Sequence, residues 1–194
     1  NFGSPYANPL WLAHDLYVGG NIVRNLVIPS GVPYVGQYAF YGSSITSVTF
    51  ESGIRSIGRG AFGGCASLAS VSIANSLTTI GDGAFENCGA LASVIIADGS
   101  HLTNIGSSAF NECIVLKGIT LPSGVTSIGS MAFGNCMSLE SIALPSSITS
   151  IGDAAFRNCG AMTSAEFGAG SRLASIGGYV FSGCASLESV DFPS

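Results

Sequence analysis

The stretch "SIGSMAFGNCMSLESIALPSSITSIGDAAFRNCGAM", residues 127–162, contains nearly the same ten residues twice. SIGSMAFGNC at 127–136 returns as SIGDAAFRNC at 150–159. The phenylalanine of this unit occurs seven times along the chain, and the Gly of the Ile-Gly pair keeps the same steps. A cysteine follows the phenylalanine by three residues in six units, and Ser43 takes that place in the first. These two recurring sets are Phe40, Phe62, Phe85, Phe110, Phe133, Phe156 and Phe181, and Cys65, Cys88, Cys113, Cys136, Cys159 and Cys184.

A period of 22–25 residues is typical of leucine-rich solenoids. Each coil of a solenoid buries its apolar face only against its neighbours, so the repeat predicts one elongated body. We divide the chain into an N-terminal cap or lead-in segment, residues 1–21, and a repeat array, residues 22–194. The array has seven units and a final strand, and we expect it to have been cut short at Ser194.

One coil illustrates the predicted fold. "LESIAL" at 139–144 alternates inward and outward residues, which indicates a strand of a parallel sheet. Ile148 and Ile151 lie in a second, shorter extended segment, and "GDAAFRNC" at 152–159 predicts a short helical turn. The expected fold is a right-handed, mainly β repeat solenoid. It has one long parallel sheet of about eight strands and a second face of short strands and helical turns.

The consensus L-x-x-I-x-L-P-x-x-V-x-x-I-G-x-x-A-F-x-x-C resembles the BspA-type leucine-rich repeat over about residues 22–194. The departures are Ser43 for Cys, Val180 for Ala and Ala165 at an apolar strand position. Members of that family are cell-surface or secreted proteins implicated in adhesion to host matrix proteins and in cell–cell contact. The resemblance therefore implies a non-enzymatic interaction module that is extracellular or on the cell surface, with protein partners.

The composition favours the same class of protein. Hydrophobic residues make up 47% of the chain, charged residues 9%, and the net charge is −5. An acidic chain without basic stripes argues against nucleic-acid binding. No apolar run reaches the roughly 18 residues of a membrane-spanning segment. No signal peptide is visible and no initiator Met is present, so we expect a processed or excised piece of a longer protein.

The cysteines raise three possibilities: buried free thiols, disulfides or a metal site. Equivalent cysteines of adjacent coils are expected about 4.8 Å apart, and disulfides between them would pinch a regular stack. Free thiols that act as small hydrophobes with a weak donor are the favoured interpretation. The sequence contains no constellation that predicts catalysis, a metal site or a cofactor. His14 and Asp15, although adjacent in sequence, do not define a catalytic geometry.

Two surfaces are candidates for binding. The outward side chains of the main sheet are small, hydroxylated and nearly neutral until the last strands, which is compatible with a simple solvated face or with a flat docking surface. They begin with Asn25 and Val27, and the candidate binding residues are Ser47, Thr49, Ser70, Ser72, Ser93, Ile95, Thr120, Ser141, Ser164, Glu166, Ser189 and Asp191.

The second surface is aromatic. Tyr6, Trp11, Tyr17, Tyr34, Tyr38 and Tyr41 fall within the first 41 residues, as a cap over the first coil or as an interface. If these aromatics covered the C-terminal end of a second copy, the contact would be heterologous and could build a filament. The alternative function is therefore a structural subunit of an extracellular filament or surface layer, formed by head-to-tail stacking. A carbohydrate-binding module attached to an enzyme outside this chain is a third possibility.

Overall fold

The computed structural model describes residues 15–192 and shows a β-solenoid of about seven turns with no helix in that range. The predicted repeat solenoid is thus confirmed. A hairpin precedes the array, formed by strands β1 (Tyr17–Val18) and β2 (Asn21–Ile22). Gly19 and Gly20 connect the two strands with φ of 56° and 81°. This hairpin lies at the end of the segment predicted as the cap, and the boundary at residue 21 stays a prediction.

The long strands of the coils form the main face of the solenoid. They are β3 (Asn25–Ile28), β5 (Ser47–Phe50), β7 (Ser70–Ile73), β9 (Ser93–Ile96), β12 (Ser141–Leu144), β14 (Ser164–Phe167) and β16 (Ser189–Val190). Neighbours pair in parallel, with equivalent repeat positions opposite each other. The expectation of one sheet of about eight strands needs correction, because β3-β5-β7-β9 and β12-β14-β16 are two separate sheets.

The gap between the two sheets falls at residues 117–121, which form no strand. Ile119 and Leu121 are still buried, so the inward pattern of this coil is kept while its ladder is lost. In other coils the backbone N–H after the strand donates to the preceding coil, as Gly168 does to the carbonyl of Leu144 at 2.8 Å. Pro122 and Pro145 take that position around the gap, and proline has no N–H to donate. The ladder is interrupted where two successive coils lack this bond.

The second face carries the continuous sheet. Its strands have two residues each: β4 (Tyr34–Val35), β6 (Ser56–Ile57), β8 (Thr79–Ile80), β10 (Asn104–Ile105), β11 (Ser127–Ile128), β13 (Ser150–Ile151) and β15 (Ser175–Ile176). All seven pair in parallel in chain order. The unbroken connection between coils is therefore on the face where the sequence indicated only short segments.

The corner around each phenylalanine is a chain of turns, and the prediction of a short helical turn there is wrong. The residues two before and two after every repeat phenylalanine have φ between 53° and 79°, as in Met131 (56°) and Asn135 (57°) around Phe133. A helix needs successive residues near φ of −63°, so left-handed residues at this spacing exclude it. The N–H groups of Met131, Phe133 and Asn135 donate instead to carbonyls of the next coil, at 2.7–2.9 Å.

Stacked phenylalanine rings run along the core beside these corners. Successive rings from Phe40 to Phe181 have centroids 5.2–5.6 Å apart and planes within 16° of parallel. The five inner rings, Phe62 to Phe156, are completely buried. Burial of each is worth roughly 1.5–3 kcal/mol, so the column is a major part of the stability of the fold.

The glycine of each Ile-Gly pair allows the coils to approach closely on the second face. A Cβ atom on Gly129 would lie 2.4 Å from the backbone N of Ser107, and one on Gly152 would lie 2.4 Å from that of Ser130. Their φ angles are not in the left-handed region, so the requirement is for space alone. Any side chain at this position would push adjacent coils apart.

We expect Gly129→Ala to lower the free energy of unfolding by about 2 kcal/mol, because the added methyl group meets backbone that cannot move without breaking the sheet. Gly118→Ala is the matched control, since a Cβ there has no atom within 4 Å. It should change stability by less than about 0.5 kcal/mol. Urea unfolding followed by circular dichroism measures both, and equal effects of the two variants would contradict this account.

Candidate functional site

The outer face of the main sheets consists of two rows of side chains in register. The first row pairs Asn25 with Ser47, Ser70 and Ser93, and resumes beyond the gap at Ser141, Ser164 and Ser189. The second pairs Val27 with Thr49, Ser72 and Ile95, and resumes with Ala143 opposite Glu166. Thr120 is exposed in the gap, and Asp191 is exposed after the last strand. The structure therefore brings the sheet-face residues onto one side of the solenoid, on two sheets instead of one.

The gap between the sheets is a shallow depression of about 350 Å³. It is lined by Val94, Gly118, Ile119, Thr120, Leu121, Ser141 and Ala143. Gly118 takes the place of the serine that the first row has elsewhere, and no atom lies within 4 Å of where its Cβ would be. Backbone thus reaches the surface at the middle of the face.

Three exposed apolar side chains at one edge of the array were missed by the sequence reasoning. Ile114, Val115 and Met137 are 41%, 38% and 58% exposed. They occupy the first and second positions after the cysteine, where the coils with Cys65, Cys88 and Cys159 have only Ala, Gly or Ser. That departure from small residues is the sequence signal that could have identified them.

The N-terminal aromatic residues do not form a single cluster within residues 15–192. Tyr17 and Tyr34 are more than half exposed, and the ring contact among the described members joins Tyr38 to Tyr41, edge to face at 5.9 Å. Tyr6 and Trp11 lie outside the described residues. Whether these aromatics cap the array or bind a partner stays a prediction.

Tyr38 and Tyr41 border a groove of about 380 Å³ across the corners of the first coils. Its lining is Tyr38, Tyr41, Arg59, Gly60, Asp82, Gly83, Glu86, Ser107 and Ser108. The ring of Tyr38 lies against Gly60, where a Cβ would be 2.4 Å from its Cε1 atom. Sequence reasoning did not bring these residues together, because they come from four coils and depart from the consensus in different positions.

The two carboxylates of the groove are held by the next coil. Oδ1 of Asp82 accepts a hydrogen bond from the backbone N–H of Ser107 at 2.8 Å. Oε1 of Glu86 accepts one from the amide of Asn111 at 3.3 Å, and Oε2 turns back over Gly83. The positions of both acids are thus defined, with their second oxygens directed away from these bonds.

The six cysteines form a regular column of buried free thiols, as the sequence predicts. Each Sγ donates to the carbonyl oxygen of the phenylalanine one coil earlier, at 3.1–3.3 Å; Cys136, for example, donates to Phe110 at 3.2 Å. Phe40 is the first phenylalanine of the repeat, and in its coil Ser43 Oγ contacts Cys65 Sγ at 3.3 Å. Burial raises the pKa of Cys65 to about 11 and that of Cys136 to about 12. The thiols of Cys65 and Cys136 are therefore protonated and serve as structural donors.

Within residues 15–192, no group of three or more His, Cys, Asp or Glu side chains is arranged to hold a metal ion. In the same range, no helix is long and apolar enough to cross a bilayer.

The comparison with protein families finds the same repeats. The family model for the BspA-type leucine-rich repeat region, with six copies, matches residues 17–113 and 99–194. The chain belongs to the BspA-type leucine-rich repeat family. Proteins with such repeats are typically found at the cell surface, and the repeats generally serve as non-enzymatic scaffolds for protein interaction.

Solved structures support the assignment. The leucine-rich repeat protein of T. pallidum is 33% identical over 86% of this chain and 78% of its own, with a TM-score of 0.77. A leucine-rich repeat protein from Bacteroides ovatus is 26% identical, with a TM-score of 0.51; the match covers 87% of this chain but only 55% of that one. The comparison with curated protein sequences found no relative of the chain.

The thiol column predicts how a BspA-type array responds to alkaline pH. Burial raises the folded-state pKa values of Cys65 and Cys136 above the ordinary 9.0, so these two thiols ionise first in the unfolded chain. Their contribution to the free energy of unfolding should be fully present below pH 9 and should be lost as the pH rises towards 11–12. The loss is up to about 1.4 kcal/mol per pH unit for each of these thiols. Urea unfolding between pH 8 and 11 measures this slope.

Cys136→Ser is the matched variant, because serine already fills the equivalent position at Ser43. The free energy of unfolding of this variant should fall less steeply with pH than that of the parent protein, and the difference should correspond to the titration of one thiol. An identical slope for the two proteins would show that the Cys136 thiol does not contribute to the pH dependence.

Proposed function

We propose that this chain is a non-enzymatic protein-interaction and adhesion module, displayed outside the cell or on its surface, that binds protein partners through the outer face of its main sheets. The observation that carries the proposal is the in-register, uncharged surface of that face. From Asn25 to Ala143 the two rows contain no charged side chain. The core of a protein interface is likewise depleted of charge, and its rim is polar.

Apolar anchors are present on and beside this face. Val27 and Ile95 are 53% and 62% exposed within the second row. The exposed Ile114, Val115 and Met137 come shortly before the main-face segments of two successive coils, residues 117–121 and β12. Large apolar side chains among small hydroxylated ones provide a few sites that a partner can desolvate, with a surrounding that can hydrogen-bond.

The non-enzymatic part of the proposal rests on the chemistry of the same surface. Serine and threonine hydroxyls are weak nucleophiles unless an adjacent base activates them. The histidine within the described residues, His101, is in the inserted loop at 97–101, outside the two rows of the sheet face. Burial raises the pKa of the enclosed thiols of Cys65, Cys88, Cys113 and Cys136, so these four stay protonated and are unsuited to nucleophilic chemistry.

Charge introduced into the face should reduce binding to a protein partner. We expect at least one protein of a purified extracellular-matrix panel to bind the immobilised chain in biolayer interferometry. Thr49→Lys with Thr120→Lys should weaken that binding about tenfold or more, because two ammonium groups would have to be desolvated at the contact.

The control double variant is Thr126→Lys with Thr149→Lys, which adds the same charge at exposed threonines beside the second sheet. It should stay within about twofold of the parent protein, provided thermal melts show both variants to be folded. Absence of any binder in the panel, or an equal loss in the two double variants, would contradict the proposal.

A second candidate is a structural subunit of an extracellular filament or layer. It is favoured by the way coils are joined: each inner corner donates three backbone N–H groups forward, as Ala154, Phe156 and Asn158 do to the coil after them. Any further coil, from this chain or from a second copy, would extend the same ladder. Multi-angle light scattering over a wide concentration range distinguishes the candidates, because head-to-tail growth raises the mean mass steadily and a strict monomer does not.

A further inference from the structure

The groove bordered by Tyr38 and Tyr41 has a chemistry that the sheet face lacks. It combines aromatic rings, two carboxylates and one guanidinium in about 380 Å³, a volume in the range of small-ligand sites. It lies on the corners of the coils, away from the two rows of the sheet face. A ligand bound in the groove would therefore not occupy the partner surface proposed above.

Glycines of the intervening coils open the groove. Gly60 leaves the space into which the ring of Tyr38 folds, and Gly63 does the same for Tyr41, whose Cε2 atom would be 2.8 Å from an added Cβ. On the next coil, Oε2 of Glu86 lies over Gly83, 3.1 Å from where a Cβ would be. The tyrosine rings of the first coil thus lie over the second coil, and the Glu86 carboxylate lies over the third.

The charge of the groove is negative and is not neutralised internally. Asp82 and Glu86 oppose a single cation, Arg59, and no ion pair joins Arg59 to either acid within residues 15–192. Each acid uses one oxygen to accept a hydrogen bond from the following coil. The other oxygens, Oδ2 of Asp82 and Oε2 of Glu86, have no hydrogen bond to the described residues and can accept one from a ligand.

We propose that this groove binds the guanidinium group of an arginine side chain presented by a protein partner. A guanidinium is planar, stacks on tyrosine faces and donates paired hydrogen bonds to carboxylates. In this groove its face would lie on the ring of Tyr38 or Tyr41, and its N–H groups would be directed to Asp82 and Glu86. The inference rests on the proposed function only in assigning the arginine to a protein.

The test uses a small probe, so that no partner has to be known. Nα-acetyl-L-arginine methylamide is titrated into the full chain at low salt and followed by NMR shifts of the Gly60 and Gly83 amides. The neutral probe Nα-acetyl-L-citrulline methylamide has nearly the same shape without the charge. We expect the arginine probe to bind with a dissociation constant that rises with salt, and the citrulline probe to bind at least about tenfold more weakly.

Four variants test the electrostatic part of the proposal, because they should raise, lower or leave unchanged the dissociation constant of the arginine probe. Asp82→Asn and Glu86→Gln keep the structural acceptor oxygens and should each weaken binding of the arginine probe about fivefold. Arg59→Gln should strengthen it about threefold, because a like charge leaves the rim. Asp153→Asn is the matched control: Asp153 is the repeat equivalent of Asp82, accepts the N–H of Gly178 at 2.7 Å in the same way, and lies outside the groove. It should leave the dissociation constant within about twofold.

Equal binding of the two probes, weaker binding by Arg59→Gln, or equal effects of Asp82→Asn and Asp153→Asn would each overturn the proposal. If the arginine probe binds as expected while no extracellular protein does, the groove assignment stands and the proposed function fails. If a protein binds through the sheet face while the probe leaves the Gly60 and Gly83 shifts unchanged, the groove assignment fails and the proposed function stands.

Discussion

Close contact between the backbones of successive coils is the constraint on which the rest of this solenoid depends. The contact is tightest at the Ile-Gly positions, where Gly129 leaves no room for a Cβ atom against Ser107. It keeps the short strands paired from β4 to β15 without interruption. The phenylalanine column and the thiol column follow from it, because side chains that repeat at this spacing can only stack on their own kind or bond to the coil before.

Residues that meet the same surroundings in every coil were predictable from the sequence. Phe133 and Cys136, for example, recur because the stacked ring and the thiol donor are needed once per turn, and the recurrence itself indicates burial. The glycine of the Ile-Gly pair is predictable for the same reason. The period does not contain the direction of the hydrogen bonds between coils, so a pattern of residue types alone predicts a helical turn at the corner where the structure has none.

The left-handed residues of the corner show most clearly what cannot be predicted from the sequence alone. Asn135 and Asn158 are residue types that tolerate positive φ, but Met131, Ala154 and Tyr179 are not. Met131 and Ala154 adopt φ of 56° and 55° because their N–H groups bond to the carbonyls of the next coil. A local cost of about 1 kcal/mol or more is offset by a hydrogen bond whose acceptor lies 22 residues along the chain for Met131 and 24 for Ala154, which no short sequence window contains.

The candidate sites also differ in how far they were predictable from the sequence. The two rows of the sheet face follow directly from alternation in the strands, so their membership was predictable, whereas the gap at Gly118 depends on prolines in two different coils. The groove is harder still to foresee, since Tyr38, Gly60 and Glu86 belong to different coils and to different repeat positions.

A repeat protein of this kind holds its core nearly constant from coil to coil and varies its surface. Departures from the consensus on the surface are therefore more informative about binding than the consensus is. The exposed Ile95 and Met137, and the pairing of Tyr41 with Gly63, are such departures. None of them contributes to the stacked columns of the interior, so they change what the surface presents without changing the core.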